Sequence, residues 1–377
     1  MKYDKVLVTG GAGFIGSHTV DALIAKNYSV HVLDNLDPQV HGTERNLPKY
    51  FNKQANFTLC DVSNTEVLTD IIEDVDAIIH LAARVGVAQS MYDIKKYVYS
   101  NTGATASLLN LLVNKKNSVK KLIVASSMSI YGEGKYYCEK CAEDRYPTLR
   151  STEQLEKKIW EHLCPDCNSQ LKPLPTDENK KQMPSSIYAM SKRHQEEMCL
   201  LIGKTYGIPT VALRYLNAYG PRQSLSNPYT GVCAIFAQRI LNQKPPFVYE
   251  DGKQLRDFVH VTDVAKANIL ALESSLADYQ SINIGTGKPT SIFKIAELLN
   301  DIFNSSIVPY SSGEYRIGDV RHCYGDITKA RNLLHFEPSM NLEKGMPDLV
   351  NWSKLNKSNA QNLFEKAYNE LKSRGLT

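Results

Sequence analysis

Tyr188 and Lys192, in Ser186-Ile187-Tyr188-Ala189-Met190-Ser191-Lys192, have the types and spacing of a proton-transfer pair. Four residues apart on a helix, they share one face. An ammonium held near a phenol favours the phenolate and lowers a pKa that is about 10 in free tyrosine. Such a tyrosine can take a proton from a sugar or alcohol hydroxyl near neutral pH. The spacing alone is common on helix surfaces. It gains weight from Thr9-Gly10-Gly11-Ala12-Gly13-Phe14-Ile15-Gly16, where Gly10, Gly13 and Gly16 are spaced as in a dinucleotide-binding loop. There the first glycine permits a tight turn, the second a close approach of backbone to a pyrophosphate, and the third tight helix–sheet packing. The helix start supplies N–H donors and positive potential.

Asp34 ends the run Val32-Leu33-Asp34-Asn35. A carboxylate there accepts from ribose hydroxyls and repels a 2′-phosphate, so NAD is expected rather than NADP. Asp61, in Cys60-Asp61-Val62, closes a third strand and is expected to meet the adenine. His80-Leu81-Ala82-Ala83 closes a fourth, where Leu81, Ala82 and Ala83 let a cofactor cross the strand ends; His80 reads as a packed core histidine. Ser127, in Ala125-Ser126-Ser127-Met128-Ser129, stands where a strand-end hydroxyl can hydrogen-bond a reacting group.

The elements that must position these residues follow from periodicity. Val6–Thr9, Ser29–Leu33, Asn56–Leu59, Ala77–Leu81 and Lys121–Ala125 are short apolar runs rich in β-branched residues, as buried parallel strands are. Helical stretches lie between them, notably Ile15–Lys26 and Thr102–Asn114. This alternation predicts an α/β, Rossmann-type doubly wound parallel sheet. It breaks at Glu133–Pro184 and resumes with a helix over Ser186–Tyr206 and a strand over Pro209–Arg214. The expected division is a dinucleotide-binding domain over 1–132, continued by 185–220, with an insertion over 133–184. A smaller substrate lobe over 221–355 returns some segments to the first domain, and a helical tail spans 356–377. Ile282–Gly285 reads as a strand, Ile292–Phe303 as a helix and Ala360–Arg374 as a charged amphipathic helix on the outside.

At 377 residues the chain exceeds a usual single core. A hydrophobic share of 42%, a charged share of 22% and a net charge of +4 suit a soluble enzyme and argue against nucleic acid or a membrane surface as partner. The opening Met1–Val8 run lacks a signal-peptide pattern and no stretch has the length of a membrane span, so a cytoplasmic protein is expected.

Eight cysteines in a chain of this size do not suggest a disulfide framework. Cys60, Cys199, Cys233 and Cys323 read as small buried hydrophobes. Cys138-Glu139-Lys140-Cys141 and Cys164-Pro165-Asp166-Cys167 are two Cys-x-x-Cys pairs that offer four thiolates for a tetrahedral structural zinc. Two redox pairs or four free thiols are the rivals.

Together, Gly10–Gly16, Asp34, Asn101, Ser127, Tyr188 and Lys192 resemble the extended short-chain dehydrogenase/reductases, and within them the nucleotide-sugar epimerases and dehydratases, from about Lys5 to Trp352. The resemblance implies a catalytic triad of Ser127, Tyr188 and Lys192, with Asn101 supporting the lysine. It implies cofactor contacts from Gly10, Gly13, Phe14, Ile15, Gly16, Asp34, Asn35, Asp61, Val62, Leu81, Ala82, Ala83 and Asn101, together with Tyr188 and Lys192. Substrate contacts fall to Ser127, Ser129, Asn217 in Leu213–Pro221, Arg256 in Leu255–Val261 and Arg321 in Gly318–His322. Planar guanidinium groups suit a sugar diphosphate, although a structural ion pair is the rival for each arginine. Family dimers pack helices like Thr102–Asn114 and Ser186–Tyr206 into a four-helix bundle, so a homodimer is implied.

The family's 4,6-dehydratases carry Thr-Asp-Glu where this chain has Ser127-Met128-Ser129. Methionine cannot protonate a leaving hydroxyl, and serine cannot readily take a carbon-bound proton. That departure points to an epimerase. Tyr131-Gly132-Glu133-Gly134 with its cysteine-bearing insertion resembles the dTDP-L-rhamnose 4-epimerase branch, as do Arg222–Gly231 and Gly318–Cys323. The alternatives are an epimerase of UDP-hexoses or UDP-hexuronates, a 4-ketosugar reductase, a dehydratase, or a non-catalytic binding module.

Overall fold

A computed structural model describes residues 3–225, 227–229, 231–357 and 364–377. Seven parallel strands form the main sheet: β1 (Lys5–Thr9), β2 (Ser29–Asp34), β3 (Asn56–Leu59), β4 (Ala77–His80), β5 (Lys121–Ser127), β6 (Thr210–Tyr215) and β7 (Gln280–Ile284). Their order is β7-β6-β5-β4-β1-β2-β3, so the direction of winding reverses between β1 and β4. Ligands in such sheets sit in the crevice outside the strand ends at that reversal.

Both faces of the sheet are covered, which is why its strands read as continuous apolar runs. Val6, Val8, Ile79 and Ile123 join one buried cluster, while Leu7, Ile78, Leu122 and Val124 join the other. The covering helices include α1 (Phe14–Ala25), α2 (Thr65–Glu73), α3 (Ala104–Asn114) and α4 (Ile187–Tyr206). Ser186 caps α4 by accepting from the Ala189 N–H, and Gly207, at φ +69°, ends it. The predicted start of α3 at Thr102 is displaced, because Val98–Gly103 winds as a π-helical turn first.

A second core belongs to the later part of the chain. There α5 (Val232–Leu241), α7 (Ile292–Phe303) and α8 (Leu342–Leu355) pack around Phe236, Phe258, Leu299 and Leu349. Between them α6 (Val261–Glu273) packs on the main sheet, with Val264 and Ala267 in the first cluster. The helix α9 (Phe364–Ser373) follows; the start of the predicted tail helix, residues 360–363, lies outside the described residues.

The insertion forms a small antiparallel sheet of Lys135–Cys138, flanked by Glu143–Arg145 and Lys172–Leu174. Its core is little more than Tyr136, Cys138, Cys164 and Leu171. Among the described residues no helix is long and apolar enough to cross a membrane.

Candidate active site

The glycine loop shows why each glycine is needed. Gly10 sits at φ +71°, and a Cβ there would meet the Ala82 backbone at 2.9 Å. A Cβ on Gly16 would lie 2.1 Å from the Gly10 carbonyl oxygen. On Gly13 it would meet only that same oxygen, at 3.3 Å. Protein packing therefore does not require the middle glycine, whereas an approaching pyrophosphate does. Gly13 is also the N-cap of α1, where unpaired N–H groups gather.

Asp34, 7% exposed, stabilises the same loop from β2: its carboxylate accepts from the Ala12 N–H at 3.0 Å and the Leu36 N–H at 2.9 Å. Asn35 donates to Asp61 at 2.8 Å. Burial raises the Asp61 pKa, but the hydrogen bonds from Ser63 and Asn35 outweigh it and hold the carboxyl below its ordinary value.

These residues line one cleft of about 660 Å³. Gly10, Gly13, Phe14, Ile15, Gly16, Asp34, Asn35, Asp61, Val62, Leu81, Ala82 and Ala83 border it at the strand ends. Ser127, Ser129, Tyr188, Lys192, Asn217 and Arg256 border it as well. Asn101 and Arg321 do not.

Ser127 ends β5 and caps the turn Met128–Tyr131, accepting from the Ser129 N–H at 3.2 Å and the Ser129 hydroxyl at 2.9 Å. The Tyr188 backbone N–H donates to Ser90 Oγ at 2.9 Å, and its ring meets Tyr97 edge-on. Burial raises the Tyr188 pKa, and a hydrogen bond with Ser127 pulls it back in part. Burial also lowers Lys192, to about 7. Its ammonium donates to Gln195 Oε1 at 2.8 Å, and Gln195 in turn donates to Thr105 at 2.8 Å. This corrects the expected electrostatics. The lysine leans on Gln195, and burial dominates both members of the pair.

Two further expectations are corrected. Asn101 does not reach the lysine; it accepts from the Arg84 N–H at 2.7 Å and donates to Ser191 at 2.8 Å, tying the segment after β4 to α4. Arg321 has no exposed side-chain surface and pairs with Glu161, Glu250 and Asp251, so the structural ion pair is the reading that holds. Arginines that sequence reasoning missed border the cleft instead: Arg84, paired with Asp37, and Arg316, 2.7 Å from Asp319 and stacked on Tyr249. Arg316 stands five residues before Arg321, just outside the run Gly318–His322.

The tail helix also departs from its expected place. Rather than lying on the outside, α9 turns Phe364, Ala367, Tyr368 and Leu371 into the cleft. Arg239 stacks on Phe364 at 4.4 Å and pairs with Glu365 at 2.9 Å, while Tyr229 donates to Glu370 at 3.1 Å.

His80 is a core histidine, bonded to Thr9 at 2.7 Å and Thr105 at 2.9 Å, with its pKa pushed by burial to about 3. The sulfurs of Cys138, Cys141, Cys164 and Cys167 all lie within 4.8 Å of one another. Zinc–sulfur bonds of about 2.3 Å set a tetrahedron edge of roughly 3.8 Å. The Cys138–Cys167 and Cys141–Cys164 separations are 3.4 and 3.8 Å, so the donor set fits such an ion.

Comparison with known proteins agrees with this arrangement. Residues 6–285 match the model of the NAD dependent epimerase/dehydratase family. A dTDP-L-rhamnose 4-epimerase of Burkholderia thailandensis is 32% identical over 92% of this chain and 94% of its own length. A putative UDP-glucose 4-epimerase of Methanocaldococcus jannaschii is 35% identical over 93% and 99%. The crystal structure of a Thermotoga maritima UDP-glucose 4-epimerase with UDP-glucose superposes with a TM-score of 0.77 at 31% identity, covering 94% of this chain and 99% of that one. The chain belongs to the NAD dependent epimerase/dehydratase family.

Proposed function

We propose that this family member is an NAD-dependent nucleotide-sugar 4-epimerase, with Tyr188, Ser127 and Lys192 as its catalytic residues. Bound NAD would supply an acceptor that takes hydride from the sugar C4 and returns it to the opposite face. Gly10, Gly13, Gly16 and Asp34 have the freedom of approach and the acceptor that such a cofactor needs. Tyr188 takes the hydroxyl proton and gives it back, Ser127 orients that hydroxyl, and Lys192, one turn along the same helix, would favour the phenolate in its protonated form.

The observation that carries this reading is the state of the cleft's carboxylates. Among the described residues that line it they are Asp34, Asp37, Asp61 and Asp319. Each is engaged: Asp34 with backbone N–H groups, Asp37 with Arg84, Asp61 with Asn35 and Ser63, and Asp319 with Arg316. The turn after Ser127 offers only Met128 and Ser129. No acid stands there to eliminate water, which favours return of the hydride to C4 over dehydration.

The substrate we put first is dTDP-L-rhamnose, on the sequence resemblance and the Burkholderia relative. The relative named for UDP-glucose favours a UDP-hexose as second reading. Incubation with dTDP-L-rhamnose, UDP-glucose and UDP-glucuronate, with products resolved by NMR, is expected to give one C4 epimer without net NADH. A 4-keto-6-deoxy product formed with loss of water would sink the epimerase reading.

We further propose that the four clustered cysteines hold one structural zinc. All four positions would be filled by sulfur, leaving no place for a catalytic water. A core as small as that of the insertion needs such a staple. Protein purified without added metal should carry one zinc per chain; well under one equivalent refutes the site. For the homodimer, the support is an apolar surface shared by α3 and α4, where Leu201 is 66% exposed beside Leu109 and Ile202.

A further inference from the structure

Arg256 and Arg316, which border the cleft, are both fixed by the short segment Asp319-Val320-Arg321. Arg256 donates to the carbonyls of Val320 at 2.5 Å and Arg321 at 3.0 Å, and Arg316 donates to the Asp319 carboxylate at 2.7 Å. That segment is gripped mainly from the insertion. The Arg321 N–H donates to Glu133 at 2.7 Å, and its guanidinium to Glu161 at 2.5 Å. Arg150 donates to the Asp319 carbonyl at 3.2 Å and pairs with Glu250, which Arg321 shares.

The gripping residues are tied to the cysteine cluster. Tyr136, which donates to Glu133 at 2.8 Å, lies two positions before Cys138 on the same strand. Glu161 lies three positions before Cys164. Buried charges of this kind are held in one geometry only while their partners stay in place, since losing one leaves an uncompensated charge.

We propose that the insertion is a positioning device for the arginines that receive the substrate diphosphate. The four-thiolate site locks the Tyr136 strand and the Glu161 turn; these hold residues 319–321, whose carbonyls and carboxylate orient Arg256 and Arg316. The inference rests on both the nucleotide-sugar and the zinc readings. Glu161 is a positioning residue, remote from the reacting atoms.

The test is calorimetric binding of UDP and of dTDP to the NAD-loaded, metal-loaded protein and to its Glu161→Gln variant. The variant is expected to bind about tenfold more weakly, with zinc and NAD content unchanged. With the sugar nucleotide that the enzyme turns over, its KM should rise by a similar factor while kcat stays within about twofold. A Cys164→Ser/Cys167→Ser variant should lose zinc and show the same weakening, with Glu161→Gln adding nothing to it. Unchanged affinity in a zinc-loaded Glu161→Gln protein overturns the positioning role. Wild-type protein without metal overturns the metal lock, and wild-type protein that binds neither nucleotide overturns the nucleotide-sugar reading beneath it.

Discussion

The two ends of the cleft are built by different means. At the cofactor end the functional groups come from short stretches that fold locally: the seven residues Gly10–Gly16, which link β1 to the first turn of α1, and the last residue of β2. Asp34 is satisfied by backbone two residues away and by the neighbouring loop. At the opposite end Arg256 and Arg316 depend on residues 319–321, which depend on Glu133, Arg150, Glu161 and Glu250. Local construction tolerates change elsewhere in the chain. Long-range construction makes the placing of these arginines sensitive to residues far from the cleft.

Substitutions can break or sharpen this contrast. The largest effect is expected where the two ends meet: Tyr188→Phe should lower turnover about a thousandfold, while NAD copurifies and UDP binds as in wild type. Residual turnover above a tenth of wild type would remove Tyr188 from the proton-transfer role. Gly16→Ala attacks the cofactor end, because its Cβ would stand 2.1 Å from the Gly10 carbonyl oxygen. We expect a loss of about 3 kcal/mol of stability and a fall in bound NAD, read by thermal unfolding and cofactor content; full NAD retention would refute it. Arg316→Ala attacks the other end and should weaken UDP binding about tenfold, a loss in the range of one hydrogen bond to a charged group. NAD content should stay level, and a parallel fall would erase the distinction between the ends.

Acid probes the core between the two ends. His80 is held neutral to about pH 3 by burial, whereas in the unfolded chain it takes a proton near 6.5. The unfolded state therefore binds the extra proton first, and stability is lost as pH falls from 6.5 towards 3. The slope due to this residue is at most about 1.4 kcal/mol per pH unit. Denaturant titrations of His80→Gln should show a shallower acid limb; an unchanged slope would assign the loss to other groups.

The same contrast explains what could be read from the sequence. The strands, the glycine loop, Asp34 and the helix bearing Tyr188 were legible because their signals are periodic or confined to a few neighbours. Arg321 was misplaced because its acids come from positions 161, 250 and 251, a combination no local pattern carries. The partner of Lys192 was missed for a similar reason: Gln195 lies one turn away, but its burial beside Thr105 and His80 is set by α3 and β4. The apolar stripe of α9 was visible, yet nothing in it says which surface it covers.

The insertion leaves the main body just after Ser127 and returns just before Tyr188, so roughly 60 residues separate two groups that border the same cleft. Closing a flexible loop costs entropy that grows with the logarithm of its length, about 0.6 kcal/mol per doubling. A ribbon that folds on itself and is pinned by Thr176 beside Gly325 and by Glu133 beneath Arg321 shortens that loop in effect. The excursion then adds little to the cost of assembling the serine and tyrosine, and the chain can carry an extra module between two walls of one cleft without loosening it.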